Sequence, residues 1–180
     1  MVFKQKGLLS EEGEVGIHAS YASAFSKSKR IQHEIHSLFH CTGKNIGSNR
    51  CHYLRLHFPD TFRNLITSGI HDDYSMGYST QAGFRAGSCT PFRFFDLKKN
   101  CSTSLILHPL LLMENSFFAE KNRSEEALWE KIRPLLDQVL HYGGEAVTLF
   151  HNPSFGNMPG HDIPVKKLYI RIIHYMKDNL

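Results

Sequence analysis

At 180 residues, 41% of them hydrophobic and 21% charged, the chain has the make-up of one globular domain large enough for a sizeable core. Its net charge of +4 comes from lysines and arginines scattered along the sequence, which argues against a nucleic-acid partner. No stretch is long and apolar enough to span a membrane, and the opening Met-Val-Phe-Lys-Gln-Lys lacks the apolar core of a signal peptide. A cytoplasmic setting is therefore expected.

The elements follow in chain order. Residues 14–18, Glu-Val-Gly-Ile-His, read as a short strand ending in His-Ala-Ser. Residues 27–40 carry Ile31, Ile35, Leu38 and Phe39 at helical spacing and close on Gly43. Residues 51–56 alternate in the manner of a strand. Pro59 then opens a helix with the stripe Phe62, Leu65 and Ile66, stopping at Gly69. Residues 70–74, 83–85 and 104–107 are short strand candidates. The longest apolar run, 105–113, reads as buried strand interrupted by His108 and Pro109. Ser124 caps a predicted helix to His141, with Leu128, Ile132, Leu135 and Val139 inward, a kink expected at Pro134, and Gly143-Gly144 at the stop. Residues 145–150 form a buried strand ending at His151-Asn152, and 164–176 a final helix.

Strand–helix alternation predicts parallel strands joined by crossovers, and ligands of such folds gather at the strands' C-terminal ends. The polar residues fall there. His18 ends the first strand, Asp72 and Asp73 lie in or after a short one, Arg85 follows another, and His151-Asn152 closes the strand at 145–150. A strand-end imidazole such as His151 is placed to exchange a proton with a bound substrate. Arg85, set among small residues in Gly-Phe-Arg-Ala-Gly-Ser-Cys, suits a carboxylate or another anion in a cleft. His18, Arg85 and His151 are expected to share that cleft.

The four cysteines form no C-x-x-C pair and no zinc-finger spacing, and are expected to be reduced. Of the 12 histidines, His33, His36 and His40 could share a helix face and read as a solvated one. The chain has no H-E-x-x-H, no G-x-S-x-G and no P-loop, which removes zincins, common serine hydrolases and nucleotide triphosphatases.

Taken together, EVGIHASYAS, SNRCHYLRLHFPDTFRNLITSGIHDDYSMGYSTQAGFRAGSCTPFRFFDL, LHPLLLMENSF and VTLFHNPSF resemble the polysaccharide deacetylase superfamily over roughly residues 12–156. The likeness is to a bacterial branch carrying G-I-H-P-S-Y, R-x-H-Y-L-R, D-Y-S-M-G-Y, G-F-R-A-G-T-C and W-H-N in this order. The resemblance implies a distorted, incompletely closed (β/α) barrel with mostly parallel strands, forming a single domain. It also implies hydrolysis of N-acetyl groups on a polysaccharide or oligosaccharide. In that superfamily a divalent metal, often zinc, is held by an aspartate and two histidines, and the resemblance implies one here. His18 matches the first metal histidine and His151 the late general acid. Arg85 resembles the arginine of the pocket wall, with Arg50 and His52 as rivals for that role. Asp73, Tyr74 and Asn152 fall where substrate is bound.

The chain departs from the pattern at two places. Ala22 stands where the second metal histidine belongs, and the 17 residues before His18 hold no strand ending in Asp-Asp. The domain therefore reads as N-terminally incomplete, with weak or no activity by itself. The alternative is a non-catalytic carbohydrate- or partner-binding remnant of the same fold.

Overall fold

The computed structural model describes residues 15–24, 28–118, 120, 123–155 and 164–179. These group into two compact units. The first comprises the described residues up to Ser75 together with Phe92–Leu107; the second comprises Met76–Pro91 and the described residues from His108 onward. The architecture is mixed α/β. Three of the four strand pairings are parallel, and the described strands form two sheets, neither closed into a barrel.

The first unit contains α1 (Ser28–Thr42), β1 (Ser48–Asn49), α2 (Asp60–Thr67), β2 (Asp72–Asp73), β3 (Phe92–Asp96) and β4 (Cys101–Leu107). Its sheet has the order β1-β2-β4-β3, with only β3 antiparallel to its neighbour. Ile17 extends the parallel side through a single bridge to Asn49; Glu14, the start of the predicted first strand, lies outside the described residues. Of the expected stripe on α1, Ile31 is buried whereas Phe39 remains 42% exposed.

Helix α2 closes over the sheet. Phe62 and Leu65 are buried, and the Phe62 ring meets Phe94 of β3 at 4.9 Å between centroids. Burial of two such side chains contributes on the order of 1.5–3 kcal/mol each. One turn face further round, Arg63 grips Asp96 with two prongs, Nε to Oδ2 at 2.7 Å and Nη2 to Oδ1 at 2.6 Å. A planar guanidinium fits a carboxylate in this paired way, which fixes the helix against the end of β3.

Three expectations are corrected in the first unit and at its border. Residues 51–56 do not form a strand: His52–Leu54 is a 3-10 turn with Tyr53 at φ 59° and Leu54 at φ 52°. The buried residues there are Cys51 and Leu54, a spacing of three that belongs to a turn and not to a pleat. Strand β3 was not foreseen; it forms a hairpin with β4 whose turn ends at Asn100 in the left-handed region, φ 49°. The apolar run 105–113 is two strands in different sheets, because Pro109 has no N–H for a ladder and the chain leaves β4 at Leu107.

The second unit contains β5 (Leu110–Met113), α3 (Asn115–Phe118), α4 (Glu125–Tyr142), β6 (Val147–Leu149) and α5 (Val165–Asn179). Strands β5 and β6 pair in parallel, and every residue of β5 is buried. Its core joins Leu111 and Leu112 of β5 to Leu128, Trp129, Ile132 and Leu136 of α4 and to Leu168 and Ile172 of α5. Helix α4 carries the expected punctuation. Ser124 accepts a hydrogen bond from the Ala127 N–H, Glu125 and Glu126 stand at the positive end of the helix dipole, and Gly143 takes the left-handed stop at φ 66°. The helix continues through Pro134. Residues 83–85 are not a strand: Gly83 at φ 123° and Gly87 at φ 71° turn the chain there, and the Gly83 N–H donates to Leu111 O at 2.8 Å.

The Arg63 fork holds the Asp96 carboxyl down at about 2, against an ordinary 3.8. A depressed native value means the stabilisation is complete above the unfolded-state value and is lost as pH falls through the native one. Urea midpoints measured from about pH 5 to pH 2 are therefore expected to fall more steeply in the wild type than in Asp96→Asn. Equal slopes would contradict the fork's contribution.

Candidate functional site

Parallel register explains which polar residues gather in the first unit. Ile17 bridges Asn49, Asn49 pairs with Asp73, and Asp73 pairs with Leu107, so one row crosses the sheet. His18, Arg50 and Tyr74 each follow a member of this row by one residue. Strand bonds hold them in step: Arg50 N donates to Ile17 O and Tyr74 N to Asn49 O, both at 2.9 Å. The Arg50 carbonyl is 2.8 Å from His18 Nδ1, and Arg50 Nε donates to the Tyr74 carbonyl at 3.3 Å. The guanidinium lies 5.8 Å from the centre of the Tyr74 ring. The His52 ring meets His18 edge-on at 4.9 Å and Tyr53 at 4.4 Å. Five of the predicted site residues, His18, Arg50, His52, Asp73 and Tyr74, thus fall into one neighbourhood of the first unit.

Within it, Asp73 is fully buried and sits inside the expected groove wall instead of on its surface. Its oxygens accept from Asn49 Nδ2 at 2.6 Å, Ser75 N at 3.0 Å and Ser75 Oγ at 2.8 Å. Burial pushes its carboxyl up, against these hydrogen bonds and the Arg50 charge. The same burial lowers Arg50, with Asp73 and Tyr74 opposing. Asp73 therefore braces the loop 73–75 and sets the field felt by Arg50, while Tyr53, 66% exposed, presents its ring to solvent. A non-glycine residue held in the left-handed region costs about 1 kcal/mol or more, and such strain concentrates at functional sites.

In the second unit, β5 and β6 end in register, with Met113 opposite Leu149. Glu114 and His151 follow these ends. Glu114 is 1% exposed, and its Oε1 accepts three hydrogen bonds: from His151 N at 2.9 Å, from His151 Nδ1 at 2.5 Å and from Ser154 Oγ at 3.0 Å. Its Oε2 is buried with no partner among the described residues. A carboxylate cannot donate, so the His151 Nδ1 contact places a proton on Nδ1 and leaves Nε2 as the second ring nitrogen. The His151 side chain is 43% exposed. Asn152, next along, is exposed at the start of the 3-10 turn Asn152–Phe155.

The predicted residues therefore separate as follows. His18, Arg50, His52, Asp73 and Tyr74 belong to the first unit; Arg85, His151 and Asn152 belong to the second. Arg85 is exposed on the turn that replaces its expected strand. Glu114 was missed by sequence reasoning. Its only signal was position, as a lone acid closing the longest apolar run at the strand end that pairs with the one before His151.

Among the described residues no three His, Cys, Asp or Glu side chains gather as a metal-binding group. Beside His18 stands a second imidazole, His52, with the ring centroids 4.9 Å apart. A catalytic zinc takes three protein ligands. Among the described residues that set is not assembled.

No family model matches the chain, and neither a curated protein nor a solved structure matches it.

The thiols give a direct check of this neighbourhood. Burial, followed by the nearby Asp73 charge, pushes the Cys51 thiol up to about 11. Because the thiolate is the reactive form, Cys51 is expected to label with iodoacetamide at neutral pH at least 100-fold more slowly than exposed Cys41 and Cys101. Comparable rates at Cys51 and Cys41 would contradict the packing around Asp73.

Proposed function

We propose that this chain is a polysaccharide deacetylase-like domain of the distorted, incompletely closed (β/α) barrel type. It engages N-acetylated polysaccharide or oligosaccharide and has weak or no hydrolytic activity by itself. One observation carries the reading: a buried carboxylate, Glu114, bonded to Nδ1 of His151 at a parallel strand's end. This is the arrangement that orients an imidazole for proton transfer, with the carboxylate fixing the tautomer and the outer nitrogen meeting substrate.

In amide hydrolysis, water adds to the acetamide carbonyl and the tetrahedral intermediate collapses with cleavage of the carbon–nitrogen bond. The departing nitrogen must take up a proton, and the products are acetate and a free amine. His151, once protonated, supplies that proton from Nε2, and Glu114 stabilises the imidazolium that precedes it. Nothing among the described residues is assigned as the base for the attacking water, which accounts for the weak activity expected. Parallel strands ending in polar side chains support the same reading, since such folds place their ligands there.

A second reading, a non-catalytic carbohydrate-binding remnant, is favoured by the surface of the first unit. Tyr21 and Tyr53 are 50% and 66% exposed, their rings meet at 6.1 Å, and the Arg55 guanidinium lies 4.5 Å from the centre of the Tyr21 ring. The two rings stand edge to face at 87°, and an exposed aromatic face beside a cation is suited to the face of a sugar.

Acetate release and NMR titration with N-acetylated chito-oligosaccharides distinguish the two. The deacetylase-like reading predicts saccharide binding and at most slow acetate release, any release falling about 100-fold in His151→Ala, in line with loss of a general acid. Saccharide binding without any release, abolished by Tyr53→Ala and indifferent to His151→Ala, selects the binding remnant. Absence of both binding and release would refute the carbohydrate assignment altogether.

A further inference from the structure

Helix α1 carries His36 and His40 one turn apart, both exposed. Residues four apart share a helix face, so the pairing follows from the backbone. Their rings meet edge-on at 4.2 Å between centroids, and the two Nε2 atoms are 2.8 Å apart. At that distance one ring donates and the other accepts, so both Nε2 atoms are already turned toward a common point. By sequence alone this face is simply a solvated one. The geometry points to more.

We propose that His36 and His40 form a two-imidazole chelate for a divalent transition ion that prefers square or octahedral coordination, copper(II) or nickel(II). With metal–nitrogen bonds of about 2.0–2.1 Å, nitrogens 2.8 Å apart subtend a little under 90° at the ion. Neighbouring corners of a square plane or an octahedron require that angle. A tetrahedral zinc would need its two nitrogens about 3.3 Å apart, and the rings would have to be pushed open. Binding asks little of the protein. The donating ring moves its proton from Nε2 to Nδ1, both imidazoles stay neutral, and no backbone has to shift. The exposure of both rings leaves the ion's remaining positions to water or to an exogenous ligand. These are different residues from His18, and the inference stands apart from the deacetylase reading.

The test is equilibrium dialysis of the full chain against copper(II), read together with its electron paramagnetic resonance spectrum, then against nickel(II) and zinc(II). The chelate predicts one tight copper per chain with splitting from two nitrogens, and nickel bound at least tenfold more tightly than zinc. Either His36→Gln or His40→Gln is expected to weaken copper binding at least tenfold, while His33→Gln leaves it within twofold. Both positions are exposed, and circular dichroism confirms that the variants keep their helix content. Copper binding retained in the double variant His36→Gln/His40→Gln, or lost instead in His18→Gln, would overturn the assignment.

Discussion

A buried carboxylate at the end of a parallel strand organises each unit of this protein. Asp73 ends β2 and Glu114 follows β5, at 0% and 1% exposure. An ionised carboxylate taken out of water is tolerated only when hydrogen bonds replace its hydration. Asp73 obtains them from Asn49 and Ser75, and Glu114 from His151 and Ser154. Each carboxylate therefore dictates the placement of the polar residues around it, and those are the residues that chemistry could use.

The two carboxylates have different consequences. Asp73 is sealed from solvent, so its effects are indirect: it steadies the turn after β2, opposes the burial cost of Arg50 and discourages ionisation of Cys51. Glu114 is equally buried but bonded to a half-exposed imidazole, so it transmits its influence to the surface. One of its oxygens takes three donors while the other has none among the described residues. That asymmetry concentrates the pull of the carboxylate on the His151 side. Orientation of one ring nitrogen inward and one outward is what a proton-transfer group needs.

The parts of this arrangement that obey local rules were legible in the sequence. Helix α4 announces itself through Ser124 and Gly143, and α2 through Pro59 and its apolar stripe. The placement of His18 and Asp73 at the ends of parallel strands followed from strand–helix alternation, whereas Arg50, expected just ahead of a strand at 51–56, instead follows β1. Non-local or strained features were not legible. Tyr53 and Leu54 sit in the left-handed region because Cys51 and Leu54 are both drawn inward, which short-range alternation cannot distinguish from a strand. Arg85 looked strand-borne because nothing local reveals that its glycines take positive φ. Glu114 drew no notice at the end of an apolar run, since its role exists only once β5 and β6 pair.

The central claim is that Glu114 fixes the His151 tautomer. Long-range nitrogen–proton correlation NMR of the uniformly labelled chain reads this directly, because protonated and bare ring nitrogens resonate far apart. In its neutral form His151 is expected to carry its proton on Nδ1 and leave Nε2 bare, changing to a tautomer mixture in Glu114→Leu. A proton on Nε2 in the wild type, or a His151 pattern unaltered by Glu114→Leu, would contradict it.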